Sequence, residues 1–169
     1  MALHHDLLEQ ARHLAGREPT RPRPASLRRA ISATHYALFH FLAAEGARLN
    51  APARPDGLRA QVRRVFIHAD MKSLCRQFAG RTALSEHLRS IASLPLDPGL
   101  ISIAATFVDQ KNARHAADYD TSQSFTRFEV LDMIGDVQTV FDDWSRIRTT
   151  PNAAVFLIAL LLNRQWSRS

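Results

Sequence analysis

The residues best suited to chemistry in this chain crowd into one stretch, Gln110–Asp120. It contains Arg114, whose guanidinium can bind phosphate oxygens, and His115, whose imidazole can accept and donate a proton. RNA cleavage without a metal ion needs a base for the 2′-hydroxyl and a cation for the developing phosphorane charge. Tyr119 lies four residues after His115 and would share its helix face. Arg114, His115 and Tyr119 are therefore candidate catalytic residues.

The same stretch also has a purely structural interpretation. His115 and Tyr119 would then be hydrogen-bonded core residues, and Arg114 with Asp118 would form a surface ion pair worth less than about 1 kcal/mol. Adjacent residues diverge by about 100° on a helix. Arg114 and His115 would therefore meet at one phosphate only across the cleft of a dimer.

The helix that carries this stretch is predicted to begin after the turn at residues 94–99, which contains two prolines. Its predicted apolar stripe is Ile101, Ala104, Ala105 and Val108. Steps of three and four residues extend this stripe to Asn112, His115 and Tyr119. Polar side chains would thus replace apolar ones on a face that began as core.

An earlier helix is predicted from an N-cap at Ser26 toward Gly46. Its predicted buried stripe is Leu27, Ile31, Thr34, Leu38 and Leu42. Its polar residues are candidate contacts for RNA or a partner, together with Asn112, Arg114, His115, Asp118 and Tyr119. These additional candidates are Arg28, Arg29, His35, Tyr36 and His40.

The other predicted elements are also helical. A short N-terminal helix, residues 3–15, has the stripe Leu3, Leu7, Ala11 and Leu14, and a Pro/Arg-rich linker follows at residues 16–25. A helix over 57–79 has a predicted inward side of Leu58, Val62, Val65, Ala69 and Leu74, and a shorter helix is expected around 84–93.

Two further helices carry clear start signals. Thr126 and Glu129 have the spacing of a capping box, so a helix is predicted from there to about Arg148. Its predicted inward residues are Leu131, Ile134, Val137, Val140, Phe141 and Trp144. Thr150-Pro151 opens an apolar C-terminal helix within residues 150–169. Its ten-residue apolar run is half the ~20 residues that span a bilayer, which predicts burial in protein and no membrane partner.

Composition predicts one domain over residues 1–169, located in the cytoplasm. The chain is 46% hydrophobic, has one cysteine, and begins without the charged-then-apolar layout of a secretory signal. No glycine-rich phosphate loop or zinc-type Cys/His spacing occurs, so neither a cofactor nor a metal site is predicted. All of the net charge of +6 lies in residues 1–64, where eleven arginines face five carboxylates. That surplus favours a polyanion such as RNA, or it is simply a solvated arginine-rich surface.

Two segments together resemble the HEPN superfamily, small α-helical domains of prokaryotic toxin–antitoxin and defence systems. The first is residues 26–40, Ser-Leu-Arg-Arg-Ala-Ile-Ser-Ala-Thr-His-Tyr-Ala-Leu-Phe-His. The second is residues 114–120, Arg-His-Ala-Ala-Asp-Tyr-Asp, which is similar to the branch with an Ala-Asp-Tyr motif helix. The resemblance implies an all-α antiparallel bundle of four to five main helices. It also implies a homodimer whose two motif helices meet at a cleft.

Active members of this superfamily are metal-independent ribonucleases with an Arg-x4–6-His motif, often with a tyrosine two residues after the histidine. Counting back from Tyr119 places Ala117 at the histidine position and Asn112 at the arginine position. The resemblance therefore implies an RNA-binding or toxin–antitoxin-type module with an altered ribonuclease motif. Two alternatives remain: an active endoribonuclease that uses Arg114, His115 and Tyr119, and a protein-interaction subunit that pairs with a nucleotidyltransferase-like antitoxin.

Overall fold

The computed structural model describes residues 2–51, 56–66 and 68–166. Within them the chain forms eight α-helices and no strand, so the predicted all-α class is confirmed. The helices are α1 (Leu3–Gly16), α2 (Pro24–Asn50), α3 (Asp56–Val65), α4 (His68–Phe78), α5 (Glu86–Ile91), α6 (Pro98–Tyr119), α7 (Arg127–Ile147) and α8 (Pro151–Trp166). None of these helices combines the length and the apolar content needed to cross a membrane.

The chain divides into two compact units, each assembled from two separate segments. Unit 1 contains residues 1–40 and 106–141, and unit 2 contains residues 41–105 and 142–169. The helices α2, α6 and α7 continue from one unit into the other.

Unit 1 buries one face from each of its four helical segments. The predicted α2 residues Leu27, Ile31, Thr34 and Leu38 are all at most 2% exposed. In α1 the predicted stripe is confirmed only in part, because Ala11 is buried and Leu7 and Leu14 are half-buried, whereas Leu3 is 55% exposed. Leu8 and Ala15 are buried instead. The capping box is confirmed: the Thr126 N–H donates to Glu129 Oε2 at 2.7 Å, and the Glu129 N–H donates to Thr126 Oγ1 at 3.2 Å. In α7 the predicted inward residues of this unit are buried except Leu131, which is 44% exposed.

The start of α2 differs from the prediction by three residues, because an N-cap at Ser26 would make Leu27 the first helical residue. The helix begins at Pro24, whose fixed φ suits the first helical position, so Ser26 lies inside the helix rather than at its N-cap. Ser26 is buried and donates from Oγ to Glu18 Oε1 at 3.0 Å. The linker is thereby fastened to α2.

Unit 2 centres on large buried side chains of α4, α7 and α8. Phe78 and Phe156 meet edge to face with centroids 5.0 Å apart, and Cys75 is fully buried. Trp144 donates from Nε1 to Glu45 Oε2 at 2.7 Å. The Thr150 cap of α8 is confirmed, since the Ala153 N–H donates to Thr150 Oγ1 at 3.2 Å. The buried apolar face of α8 also confirms the predicted burial of the C-terminal helix.

The predicted helix over 57–79 is broken into α3 and α4 at Phe66. Phe66 is 5% exposed and lies against Gly46, so burying its ring competes with continuing the helix. Leu58 and Val65, predicted to face inward, are 46% and 50% exposed, whereas Leu74 is buried. The side chain of Ala69 lies outside the described residues. The shorter helix predicted at 84–93 is α5, which has Ser85 as its N-cap.

Gly46 does not end α2 as predicted, because the helix continues to Asn50. A Cβ added at Gly46 would lie 2.4 Å from Phe66 Cζ. Gly46 therefore lets the ring of Phe66 lie close to α2 and does not end the helix.

We expect Gly46→Ala to destabilise the protein by about 1–3 kcal/mol, because the buried ring of Phe66 would have to move. Gly135 is the matched control: it is exposed on α7, and nothing lies within 4 Å of an added Cβ. Gly135→Ala should stabilise by up to about 1 kcal/mol through helix propensity. Urea unfolding of both variants measures the difference, and equal effects would contradict the Gly46–Phe66 contact.

Candidate functional site

The second half of α6 presents different residues to the core from those predicted. The buried face of α6 contains Leu100, Ile103, Ala104, Phe107, Val108, Gln110 and Ala117. Ile101 is 36% exposed and Tyr119 is 72% exposed, and Asn112 and His115 are also exposed. Ala104 and Val108 are buried as predicted, but from Asn112 onward the predicted register is wrong by about one residue. Phe107 explains the shift, because burying its large ring sets the rotation of the helix in unit 1.

Arg114 and Asp118 form the predicted ion pair, with 2.9 Å between Nε and Oδ2. The other carboxylate oxygen, Oδ1, accepts a hydrogen bond from Ser32 Oγ at 2.8 Å. The Arg114 guanidinium also lies over the ring of Tyr36, with Cζ 4.7 Å from the centroid. Arg114 is therefore held by α2 as well as by its own helix, with Nε committed to Asp118. Its terminal nitrogens donate to no other described residue.

Arg28 binds the carboxyl end of α6. Its Nη1 donates to the carbonyl of Ala117 at 2.7 Å and to that of Ala116 at 3.3 Å. Its Nη2 donates to the carbonyls of Asp120, at 2.8 Å, and Gln123. Carbonyls at a helix end lack intrahelical partners and carry the negative end of the helix dipole. The Arg28 guanidinium gives these carbonyls hydrogen-bond donors and places a positive charge at the negative end of the dipole, so it caps the helix.

The turn after α6 is stabilised by its own polar groups. Ser122 donates to Asp120 Oδ1 from its hydroxyl at 2.6 Å and from its N–H at 2.9 Å. The hydrogen bond from the Ser122 hydroxyl has the largest effect on the pKa of the Asp120 carboxyl and holds it below its ordinary value. The bond from the Ser122 N–H and the positive charge of Arg28 lower the same pKa further. The backbone carbonyls that Arg28 binds are thereby kept in place.

His115 and Tyr119 form an exposed aromatic pair. Their ring centroids are 5.0 Å apart and the ring planes are tilted by 47°. Neither side chain hydrogen-bonds to a described residue. Both rings are therefore open to solvent, and the interpretation of His115 and Tyr119 as buried core residues is wrong.

The other candidates on α2 differ in accessibility. His35 is 0% exposed, with its ring centroid 5.6 Å from that of Phe107, so no ligand reaches it in this structure. Tyr36 and His40 are half-buried and stack with centroids 6.4 Å apart. Of these rings, only those of Tyr36 and His40 are accessible.

Arg29 borders two adjacent clefts of unit 1. The first, of about 410 Å³, is lined by Ala25, Arg28, Arg29, Ala117, Asp118 and Tyr119. The second, of about 350 Å³, is lined by Gln10, Leu14, Arg29, Ser32, Ala33 and Tyr36. Arg29 is exposed, and its side chain forms no hydrogen bond or ion pair with any described residue. An uncompensated guanidinium thus lies between two concave surfaces.

The structure brings six candidates together around these clefts: Arg28, Arg29, Tyr36, Arg114, Asp118 and Tyr119. Ser32 was not among the predicted site residues, although it holds Asp118. Its position four residues after Arg28, on the same helix face, was the available signal. Gln110 was also missed as a structural residue; it is 2% exposed and donates from Nε2 to the Met133 carbonyl at 3.0 Å.

The position at which the resemblance would place a catalytic histidine is buried. Ala117 is 4% exposed, and its carbonyl accepts from Arg28. Asn112, at the corresponding arginine position, is exposed, and its side chain has no hydrogen-bonding partner among the described residues. The two motif positions therefore do not present a base and a cation to one substrate within this chain.

No protein-family profile, curated protein or solved structure matches this chain. The resemblance to the HEPN superfamily consequently depends on the two sequence motifs alone.

Arg28→Gln should lower the free energy of unfolding by about 2–3 kcal/mol, because a neutral amide cannot replace charge-assisted bonds to four carbonyls. The neighbouring Arg29→Gln removes the same charge from an exposed position without a partner, and should change stability by at most about 0.5 kcal/mol. Urea unfolding of the two variants makes the comparison. A similar loss in both would show that Arg28 does not act as a cap.

Proposed function

We propose that this chain is a HEPN-like RNA-binding module that holds single-stranded RNA without cleaving it. The observation that supports the proposal most directly is the first cleft, where the uncompensated Arg29 and the exposed ring of Tyr119 line the same surface. Single-stranded nucleic acid is commonly bound by cations that contact the backbone and by aromatic rings on which bases stack. This cleft offers both kinds of group within one unit.

Arg29 is the principal phosphate contact in this proposal. A guanidinium whose donors are not used within the protein gains more from a phosphate than one that must first break internal bonds. Arg114 is a second contact, since its Nε is occupied by Asp118 while its terminal nitrogens have no partner among the described residues. Asp118 repels phosphate only weakly, because Arg114 and Ser32 both bind its carboxylate.

Tyr119 and His115 supply the stacking surface. Tyr119 is 72% exposed, so its ring is accessible to a base, and the neighbouring imidazole of His115 extends the aromatic surface. Stacking of a base on an aromatic side chain contributes about 1–3 kcal/mol and tolerates different sequences. The module therefore favours single strands over duplexes and has little base specificity.

The absence of cleavage follows from the placement of the candidate catalytic groups. Arg114 packs on Tyr36 of α2, whereas His115 is directed to Tyr119 and solvent. A base and a cation must converge on one phosphate to accelerate the reaction. The burial of Ala117 removes the other place for a histidine.

Binding to a fluorescein-labelled single-stranded RNA should weaken by about tenfold in Tyr119→Ala, which corresponds to the loss of one stacked base. Arg29→Gln should weaken binding and also lower the slope of log K against log salt by about 0.7, the value for one phosphate contact on a single strand. The measurement is fluorescence anisotropy at several salt concentrations.

Arg76→Gln is the matched control for Arg29→Gln. Arg76 is also exposed on a helix and its side chain has no partner among the described residues, but it lies in unit 2. Its replacement should leave both the affinity and the salt slope near those of the unmodified protein. If the two arginine variants lost affinity equally, binding would be a general effect of charge and the cleft would not be the site.

Incubation of the same RNA with the protein and EDTA should yield no fragments on a denaturing gel, and His115→Ala should leave this result unchanged. Fragments that disappear in His115→Ala would contradict the proposal and would select the active endoribonuclease instead. Arg63→Gln, which changes an exposed arginine of α3, controls for a contaminating nuclease. A contaminating nuclease would cleave the RNA in the preparations of His115→Ala and Arg63→Gln alike.

A further inference from the structure

One face of α7 in unit 1 is exposed although it contains large apolar side chains. Phe128 is 73% exposed and Leu131 is 44% exposed. Gly135 and Thr139 follow at helical spacing, so all four residues lie on the same side of the helix. Nothing lies within 4 Å of the position of a Cβ at Gly135, and Thr139 donates from Oγ1 to the Gly135 carbonyl at 3.0 Å. We call this surface, residues 128, 131, 135 and 139, the α7 face.

The α7 face has an acidic border. Asp132 and Asp136 lie beside it, are exposed, and form no ion pair with any described residue. Partial burial raises the pKa of the Asp136 carboxyl, and the charges of Asp132 and Asp109 raise it further. Negative charge is therefore concentrated along this border and lacks a cation from the described part of the chain.

Unit 2 contains a groove of opposite charge. It has a volume of about 600 Å³, and its apolar lining includes Phe78, Leu84, Leu94, Leu96 and Ile101. Leu94 is 57% exposed and Ile101 is 36% exposed. The cations at the groove are Arg81 and Arg89, and Arg89 has no side-chain partner among the described residues.

The walls of the groove are held by specific local contacts. Gly80, with φ +69°, allows the chain to turn after α4, because that backbone conformation suits glycine. Asn152 donates to the Ser93 carbonyl at 2.7 Å and accepts from the Ser93 N–H at 2.8 Å. These contacts fix the segment that leads to Leu94. The groove is thus formed without its occupant.

We infer that the α7 face of one copy of this chain binds in the unit 2 groove of a second copy. An amphipathic helix that lays its apolar side chains into a hydrophobic groove is a common mode of recognition. Phe128 and Leu131 provide the apolar side chains, and Gly135 and Thr139 let the helix approach closely. Asp132 and Asp136 then face Arg81 and Arg89, which makes the two surfaces complementary in charge.

The contact is heterologous, because the surfaces it joins differ from each other. Each copy therefore has one α7 face and one groove to offer, and two copies joined by one such contact still have one unoccupied surface of each kind. It uses neither Arg29 nor Tyr119, so it goes beyond the proposed RNA-binding function and its test is independent of RNA. It also differs from a dimer in which two motif helices face each other.

Two substitutions separate association from folding. Gly135→Met fills the α7 face where the structure has open space, and replaces glycine with a better helix former. It should therefore keep or raise the thermal midpoint while it raises the dissociation constant by about tenfold or more. Arg89→Glu reverses the charge at the groove and should weaken association by a similar factor. Arg76→Glu, an exposed charge reversal on α4 outside the groove lining, should have little effect.

Sedimentation velocity of the RNA-free chain, from about 1 µM to about 1 mM, measures association over the range expected for a small interface. The unmodified chain and Arg76→Glu should grow in mass with concentration, and the other two variants should remain monomeric over most of this range. An equimolar mixture of Gly135→Met and Arg89→Glu retains one intact groove and one intact α7 face. This mixture should form a 1:1 dimer and nothing larger.

Three results would overturn the inference: an unmodified chain that stays monomeric throughout the range, a mixture that associates no better than its components, or Arg89→Glu associating like the unmodified chain. The last result, combined with loss of association in Gly135→Met, would show that two α7 faces bind each other. Failure of any of these tests would leave the RNA-binding proposal unaffected, because RNA is measured separately.

Discussion

The contact between the Arg28 guanidinium and the carboxyl end of α6 is the interaction on which the candidate site depends. It joins residues 88 or more positions apart in the sequence and fixes the end of α6 beside the start of α2. Ser32 and Tyr36 follow Arg28 on the same face of α2, so the same alignment brings Ser32 to Asp118 and Tyr36 to Arg114. A single cation thus sets the register of two helices.

This use of Arg28 changes how the basic charge of the chain should be understood. The surplus of arginine in residues 1–64 suggests many phosphate contacts. Arg127 behaves like Arg28: it donates to the carbonyls of Ala15, Glu18 and Pro19 and so ties the end of α1 and the linker to α7. Because some guanidiniums satisfy helix ends, net charge overestimates the number of cations available to a ligand. Arg29 is distinguished by position and accessibility, which composition does not reveal.

Local signals in the sequence predict much of the helical framework. The box of Thr126 and Glu129 and the Thr150 cap depend on residues within one turn, and both appear as expected. The breaks and registers were harder to predict, because they depend on distant packing. The helix α2 continues beyond Gly46, where the ring of Phe66 lies against the glycine. The helix α6 is rotated relative to the prediction because Phe107 is buried. No window of neighbouring residues contains that information.

The candidate site also has some features that local spacing predicts and others that depend on how the helices pack. The four-residue spacing of Arg114 and Asp118 predicts an ion pair, and the structure contains this ion pair. The role of Arg28, the burial of His35 and Ala117, and the exposure of His115 all depend on which helix packs against which face. The residue types were therefore informative about which groups matter, whereas their accessibility required the fold.

The path of the chain through its two units limits how genetic recombination can exchange parts of this protein. Unit 1 needs residues on both sides of the segment that builds most of unit 2, and three helices run from one unit into the other. A single recombination point cannot transfer one unit to another gene without part of the other, because every crossover within the chain divides at least one of them. The two units are therefore inherited together, and so are the first cleft of unit 1 and the apolar groove of unit 2.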